Sequence, residues 1–238
     1  MTNLLPTITS HDVAALQPTV AVLPVGSFEQ HGGHLPLITD TAIACIVAQA
    51  MAEEHRLLML PPISMACSQE HNGAWPGTVS ISARTLHALI GDVLASLEAS
   101  GIRKVILVNC HGGNYVLSNV VQEANSAEPR LTLFPGRDDW ERARDEAGLD
   151  SSGHDDMHAG EVETSILLHA APELVGDGYH SADHAAPDRP FLLTLGMAGY
   201  TSTGVIGFPS LATAAKGQAV IASLVRSASH HLHALGEK

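Results

Sequence analysis

The chain has 238 residues, 45% of them apolar but only 4% aromatic, so a substantial core must be packed from aliphatic side chains and alanine. A formal net charge of −13 disfavours nucleic acid, whose phosphates need clustered Lys and Arg, although acidity also simply keeps a protein soluble. No run approaches the roughly 18 apolar residues of a membrane span, Met1–Asp12 lacks the features of a signal peptide, and Cys45, Cys67 and Cys110 form no C-x-x-C pair, which together read as a reduced, cytoplasmic protein with no membrane or nucleic-acid partner.

In chain order, Val20–Val25 reads as a buried strand and Thr41–His55 as a helix with Ile43, Ile46, Val47 and Ala50 on one face. Leu57–Leu60 is a second strand, closed by Pro61 and Pro62. Between about Ala83 and Ser100, the residues Leu86, Leu89, Ile90, Val93, Leu94 and Leu97 follow a helical period. Val105–Val108 is a third strand, Gly112-Gly113-Asn114 opens a helix running to about Ala127, and Leu131–Phe134 is a fourth strand. Gly136 to Met157 is charged and reads as an insertion or long loop. A helix follows from near Gly160 to before Pro172, residues 176–190 are loop-like, and a last amphipathic helix spans about Thr213 to Leu235, with His230, His231 and His233 on its solvated side. Strands alternating with helices imply βαβ units, a mainly parallel sheet and one domain over 1–238.

Ligands of open α/β sheets bind beyond the carboxyl ends of the strands. The stretch SFEQHGGHLPLITD, directly after the first strand, holds Glu29, His31, His34 and Asp40. Asp40 precedes a helix, where it is either a cap or a ligand. His111 follows the third strand in NCHGGN, and the third cluster is HAGEVETS, where His158 and Glu161 are three apart and would share a helix face while Glu163 points elsewhere. This mixture of carboxylates and imidazoles suits Zn, Mn or Fe(II).

GSFEQHGGHLPLITD, VNCHGGN and HAGEVETS, in this order and separation, resemble the creatininase family of metal-dependent amidohydrolases, whose forms are GSxEQHGPHLPLxTD, NGHGGN and HAGELETS. SQEHNGAWPGTVS resembles the family's EHxxFPGTxS, so the likeness spans roughly residues 20 to 210. It implies a three-layer α/β/α sandwich with a mainly parallel central sheet and two divalent ions, zinc first and manganese or iron next. The implied ligands are Glu29, His31, a bridging Asp40, His111 and Glu161, with Glu163 and His34 as supporting contacts; Glu161 is preferred to Glu163 as the last ligand. Creatinine-hydrolysing members take a carboxylate from a His-Tyr-Glu motif two residues after the metal-binding His, where this chain has Gly113.

By the same resemblance, metal-bound hydroxide attacks the amide carbonyl, with His158 moving the proton and Asp155 beside it. His71, Trp75 and His154 are placed at the substrate mouth. Members open the creatinine ring, deformylate a formamidopyrimidine, or trim a redox-cofactor precursor peptide. The missing Tyr-Glu pair, and His154 where creatinine-hydrolysing members have Trp, count against creatinine. The expectation is hydrolysis of the C–N bond of a small cyclic amide or formamide, a non-peptide substrate, by a homo-oligomer, as in hexameric relatives. The alternatives are a creatinine amidohydrolase proper, a peptidase acting on a redox-cofactor precursor peptide, or a non-catalytic, metal-binding paralogue.

Overall fold

The computed structural model describes residues 4–237; Met1, Thr2, Asn3 and Lys238, at the ends of the span read as one domain, lie outside the described residues. Strands β1 (Val20–Val25), β2 (Leu58–Met59), β3 (Lys104–Asn109) and β4 (Leu131–Phe134) form one sheet in the order β2-β1-β3-β4. All its pairs are parallel. The helices are α1 (Ser10–Leu16), α2 (Thr39–His55), α3 (Ala83–Ala99), α4 (Leu117–Ala124), α5 (Arg137–Ala147), α6 (Glu161–Ala170), α7 (Leu192–Leu195) and α8 (Ala214–Ala234).

Side chains alternate across a strand, and here both faces are buried. Val20, Val22, Ile106, Val108 and Phe134 face the layer of α2, α5, α6 and α8. Ala21, Leu23, Val25, Val105, Leu107 and Leu131 face α3 and α4. The strands are therefore continuous apolar runs, and the architecture is the expected three-layer sandwich. Helix α2 is lodged deep in its layer, which is why it carries Ala42, Ala44, Cys45 and Ala48 where a surface helix would carry charge.

Helix α1 was not expected, α4 starts at Leu117 and not at Gly112, and two further segments depart from the sequence reading. The stretch from Gly136 to Met157, expected as loop, contains α5. Its sequence RDDWERARDEA fully buries only Asp139 and Ala143, so no apolar period stands out, and tertiary packing against α8 together with a cap supplies the stability. That cap is the Asp139 carboxylate, which accepts from the Gly136 N–H at 2.8 Å. On α8, His231 is not a solvated residue: its Nε2 meets Asp139 Oδ2 at 2.9 Å and its Nδ1 meets Thr132 Oγ1 at 2.6 Å.

Helix α8 crosses α6 closely at Gly217. A Cβ on Gly217 would collide with the Ser165 carbonyl, a backbone atom that cannot swing aside. Gly217→Ala gains about 1 kcal/mol of helix propensity but is expected to lose about 1–3 kcal/mol net through overpacking. Urea denaturation reads this, and a variant as stable as the wild type would mean that the crossing relaxes freely.

Candidate metal centre

Three parallel strands stop at one level, and the polar residues are concentrated just beyond them. Gly26 N–H donates to Ile63 O, and Cys110 N–H donates to Val25 O, so the chain leaves β1, β2 and β3 side by side. A side chain at 26 would strike the Thr41 backbone, which brings the loop after β1 directly against the start of α2. Asn114 fastens the ends together: its Oδ1 accepts from Cys67 N–H at 3.0 Å while its Nδ2 donates to Asn109 Oδ1 at 2.9 Å.

Glu29, His31, Asp40, His71, His111 and His158 meet here and are all buried. Asp40 does not cap its helix; α2 has no side-chain cap. Instead Asp40 Oδ1 lies 2.9 Å from His31 Nε2 and Oδ2 lies 2.9 Å from His111 Nδ1, and Oδ2 also accepts from Ser27 Oγ at 2.8 Å. Glu29 Oε1 lies 3.2 Å from His71 Nε2, 3.3 Å from His111 Nδ1 and 3.8 Å from His158 Nδ1. None of these meets hydrogen-bond geometry, so both oxygens of a fully buried carboxylate have no hydrogen-bond partner.

Such a group is costly to bury, and it faces imidazole nitrogens whose opposite edges are already committed. His31 Nδ1 donates to Glu29 O at 3.0 Å, and His111 Nε2 donates to Cys67 O at 2.7 Å. Each ring therefore turns its other nitrogen to the carboxylates, the arrangement by which backbone carbonyls orient metal-binding histidines. Donor atoms sharing an ion at about 2.0–2.2 Å stand about 3–3.5 Å apart; the carboxylate–imidazole distances here run from 2.9 to 4.0 Å. Among the described residues, three groups offer ligand atoms within 4.8 Å of one another: His31, Asp40 and Glu163; Glu29, Glu70 and His111; and Glu29, His31 and His158.

In the metal-free protein, protons serve where cations would. Burial alone pulls His31 down, but the Asp40 carboxylate outweighs it and raises the ring to about 9. His111 behaves likewise: burial opposes protonation, yet Glu29 and Asp40 hold the ring well above its usual range. Burial would raise Asp40, and the two histidines instead hold it well below the carboxylate range. Glu163 is pushed up to about 8, by burial first and then by Asp40 and Asp156, against the pull of His31. Burial and the nearby His31 and His71 keep His158 well below the usual range, and hence neutral. Burial also pushes the Cys110 thiol up, which leaves it no thiolate character.

Several expected roles are corrected. Glu161 points away from the centre: its carboxylate accepts from the Asp150 and Ser151 N–H groups and from Ser151 Oγ, and pairs with Lys216 Nζ at 2.5 Å. Glu163, expected only as a supporting contact, takes the place beside His31, with Oε2 4.0 Å from its Nε2. The helical phasing that favoured Glu161 treated His158 as part of the helix. In fact α6 begins at Glu161, His158 pairs with Ile206, and Ala159 turns the chain with φ 55°. Asp155 does not support His158; it closes a turn with Ser152, and the neighbouring Asp156 is the buried one, capping α6 and pairing with Arg144 at 2.7 Å.

His71 is not at a mouth but buried against Glu29, with half-buried Trp75 outside it, the ring centroids 6.3 Å apart. His34 Nε2 donates to Ala159 O at 3.1 Å and so braces the turn between His158 and Glu163. His154 is exposed, donates to Pro187 O and lines a cleft of about 840 Å³. That cleft reaches the centre at His111 and Glu163 and runs outward past Cys110, Trp140 and Arg137. Two residues were not singled out from sequence. Gln30 bonds to the histidines, and Glu70 Oε1 lies 3.6 Å from His111 Nε2, in space left by Gly113, where a Cβ would collide with it. Both sit inside recognised motifs, beside residues that drew the attention.

A parallel α/β sandwich with a buried carboxylate–imidazole centre at its strand ends is the architecture of a metal-dependent hydrolase. The family model for creatininase, described as creatinine amidohydrolase, matches residues 6–232. The mycofactocin precursor peptide peptidase of Mycobacterium ulcerans (strain Agy99) is 38% identical over 231 residues, 92% of this chain and 86% of that protein. The creatinine amidohydrolase of Pseudomonas putida is 30% identical over 174 residues, 66% of each chain. Among solved structures, a creatininase described with Mn superposes with a TM-score of 0.79 at 24% identity, covering 95% of this chain and 96% of that one. This chain belongs to the creatininase family of metal-dependent amidohydrolases.

Two measurements test the centre. In metal titration of Zn- or Mn-loaded protein, Glu163→Gln is expected to weaken one ion by roughly tenfold or more, whereas Glu161→Gln leaves metal content unchanged; the reverse pattern would restore the sequence expectation. In the metal-free protein, His31 is raised from 6.5 to about 9, so its stabilisation is complete below pH 6.5 and lost as pH climbs through 9. Melting temperature should therefore fall across that window without metal and hold, or rise, with it.

Proposed function

We propose that this chain is a dinuclear metal-dependent amidohydrolase that cleaves an amide bond of a precursor peptide. The observation that carries the metal reading is Glu29, a carboxylate with both oxygens buried, free of hydrogen bonds and surrounded by imidazole nitrogens. Glu29, Asp40 and His111 would hold one ion and His31, Asp40 and Glu163 the other, with Asp40 bridging because its two oxygens already serve two different histidines. Zinc, manganese and iron(II) all suit this donor set. Bound there, such ions supply a water ionised near neutral pH and polarise the amide carbonyl.

The side chains handle the remaining tasks. His158 Nε2 donates to Gln30 O at 2.7 Å, leaving Nδ1 turned to Glu29 and the centre. That nitrogen takes up the proton released on attack and returns it to the leaving amine. Cys110, its thiol protonated, only fills space. The fixed N–H bonds of His31 and His111 to backbone carbonyls keep their free nitrogens aimed inward through the cycle.

The substrate assignment departs from the small cyclic amide or formamide expected from sequence. Pockets of about 300–1,000 Å³ serve drug-sized ligands, and a cleft of about 840 Å³ leading from His111 and Glu163 suits a peptide segment better than one small ring. The relatives named as precursor peptide peptidases also span nearly the whole chain. A small cyclic amide is the second reading, supported by the Pseudomonas putida relative. Against creatinine itself, Glu70 fills the space at Gly113 where creatinine-hydrolysing members carry their motif glutamate. Phe191, Leu193 and Leu195, 62%, 80% and 56% exposed, support assembly into a homo-oligomer.

Zn- or Mn-loaded protein is to be incubated separately with the mycofactocin precursor peptide, creatinine and a formamidopyrimidine. Mass spectrometry should find two peptide products whose masses sum to the substrate plus one water. Creatinine ring opening or formate release, without peptide cleavage, would replace this reading by the small-amide one. Stoichiometric metal with no turnover of any of them would favour the non-catalytic role.

A further inference from the structure

The side chain of Gln30 is buried among groups whose hydrogen-bonding roles can be worked out one from another. Side-chain amides and histidine rings are ambiguous by themselves, but backbone groups are not. Gly32 N–H can only donate, and it reaches Gln30 Oε1 at 2.9 Å. Gly204 C=O can only accept, and it lies 3.0 Å from Gln30 Nε2. The amide orientation is thereby fixed. One of the two Nε2 protons goes to Gly204, leaving one for the histidines.

Two rings stand within reach of that proton. His71 Nδ1 is 3.0 Å away and His158 Nε2 is 3.2 Å away. His158 Nε2 also lies 2.7 Å from the backbone carbonyl of Gln30, which can only accept, so this nitrogen carries its own hydrogen and cannot receive one from the amide. The amide proton therefore goes to His71 Nδ1. Neutral imidazole has one N–H, so His71 bears its hydrogen on Nε2, the nitrogen that faces Glu29 Oε1 at 3.2 Å. Both rings are Nε2–H tautomers, but they turn opposite edges to the centre: His158 offers the bare Nδ1, and His71 offers an N–H.

We propose that Gln30 is a positioning residue that sets the protonation pattern around the centre, making His158 the proton acceptor and barring His71 from binding metal. The surroundings are built for it. Gly204, with φ 86°, lies where a Cβ would collide with the Gln30 amide, and the Gly204 loop is tied by Thr201 Oγ1, which accepts from the N–H groups of Thr203 and Gly204. The rings are close enough, though tilted, that a flip of one would disturb the other: His71 and His158 centroids are 4.6 Å apart, and His31 and His158 are 4.1 Å apart.

The catalytic consequence rests on the hydrolytic reading above, but the tautomers do not. The test is ¹⁵N NMR of the histidine rings in metal-free protein, wild type and Gln30→Glu. The wild type should show His71 and His158 as neutral Nε2–H tautomers. The substitution keeps an acceptor for Gly32 but removes the donor, so His71 should switch to Nδ1–H while His158, held by a backbone carbonyl, stays as it was. Wild-type His71 with its hydrogen on Nδ1, or a His71 unmoved by the substitution, overturns the proposal. Should the variant not fold, the wild-type spectrum decides alone. With metal added, Gln30→Glu is expected to keep wild-type metal content while kcat falls by about 10–100-fold, the cost typical of groups that orient a metal site. Correct tautomers in a protein that takes up no Zn or Mn would sink the hydrolytic reading and leave the tautomer assignment standing.

Discussion

The architecture beyond the strand ends is organised by one unfavourable fact, the burial of the Glu29 carboxylate without a hydrogen bond. An uncompensated buried anion is among the most costly features a fold can carry. It persists only if something cationic is near, and here that is the pair His31 and His111, which hold protons when no metal is present. His31 and His111 are accordingly raised and Asp40 depressed. The same groups are the donors that would hold divalent ions in place of those protons. The three parallel strands supply the rigidity, since each delivers its loop from a backbone buried on both faces.

A second constraint operates at the start of α6, where Asp156, Glu161 and Glu163 lie within eight positions of one another and point in three directions. Asp156 caps the helix and holds Arg144; Glu161 anchors residues 150 and 151 and Lys216; Glu163 faces His31. Ala159, with φ 55°, is a non-glycine residue in the left-handed region, a conformation that costs of order 1–3 kcal/mol and persists only where neighbours enforce it. Its N–H donates to Glu163 Oε2 and its C=O accepts from His34. The strained turn is what lets His158 enter the centre from a bridge while Glu163 enters from a helix.

This turn also marks where the sequence stopped being legible. The sandwich, the parallel strands and the placing of Glu29, His31, Asp40 and His111 beyond them follow from apolar runs ending in polar motifs, and the structure has them there. The sorting of Glu161 from Glu163 does not follow, because helical phasing holds only inside a helix and the reference residue, His158, lies outside it. Helix α5 was hidden for a related reason: its stability comes from α8 and from a cap, not from its own period. Gln30 was passed over because a glutamine shows no chemistry in a sequence; its meaning lies in partners 41 and 128 positions away.

The comparison of Gly113 with Glu70 bears on how one scaffold takes different amides. His111 presents Nδ1 inward and Nε2 outward, and the outward edge is where a side chain from position 113 would arrive. In this chain glycine vacates that space, and a carboxylate from the segment after β2 occupies it instead, 3.6 Å from the ring. A group at 113 would come from the loop that carries His111; Glu70 comes from a different loop, one residue before His71. Glu70 thereby also joins Glu29 and His111 in a group whose ligand atoms lie within 4.8 Å of one another, so the carboxylate carried by this second loop is itself a candidate ligand. The imidazole of His111 and the carboxylate beside its outer edge thus come from separate segments, one following β3 and the other following β2, and Gly113 is what lets them meet.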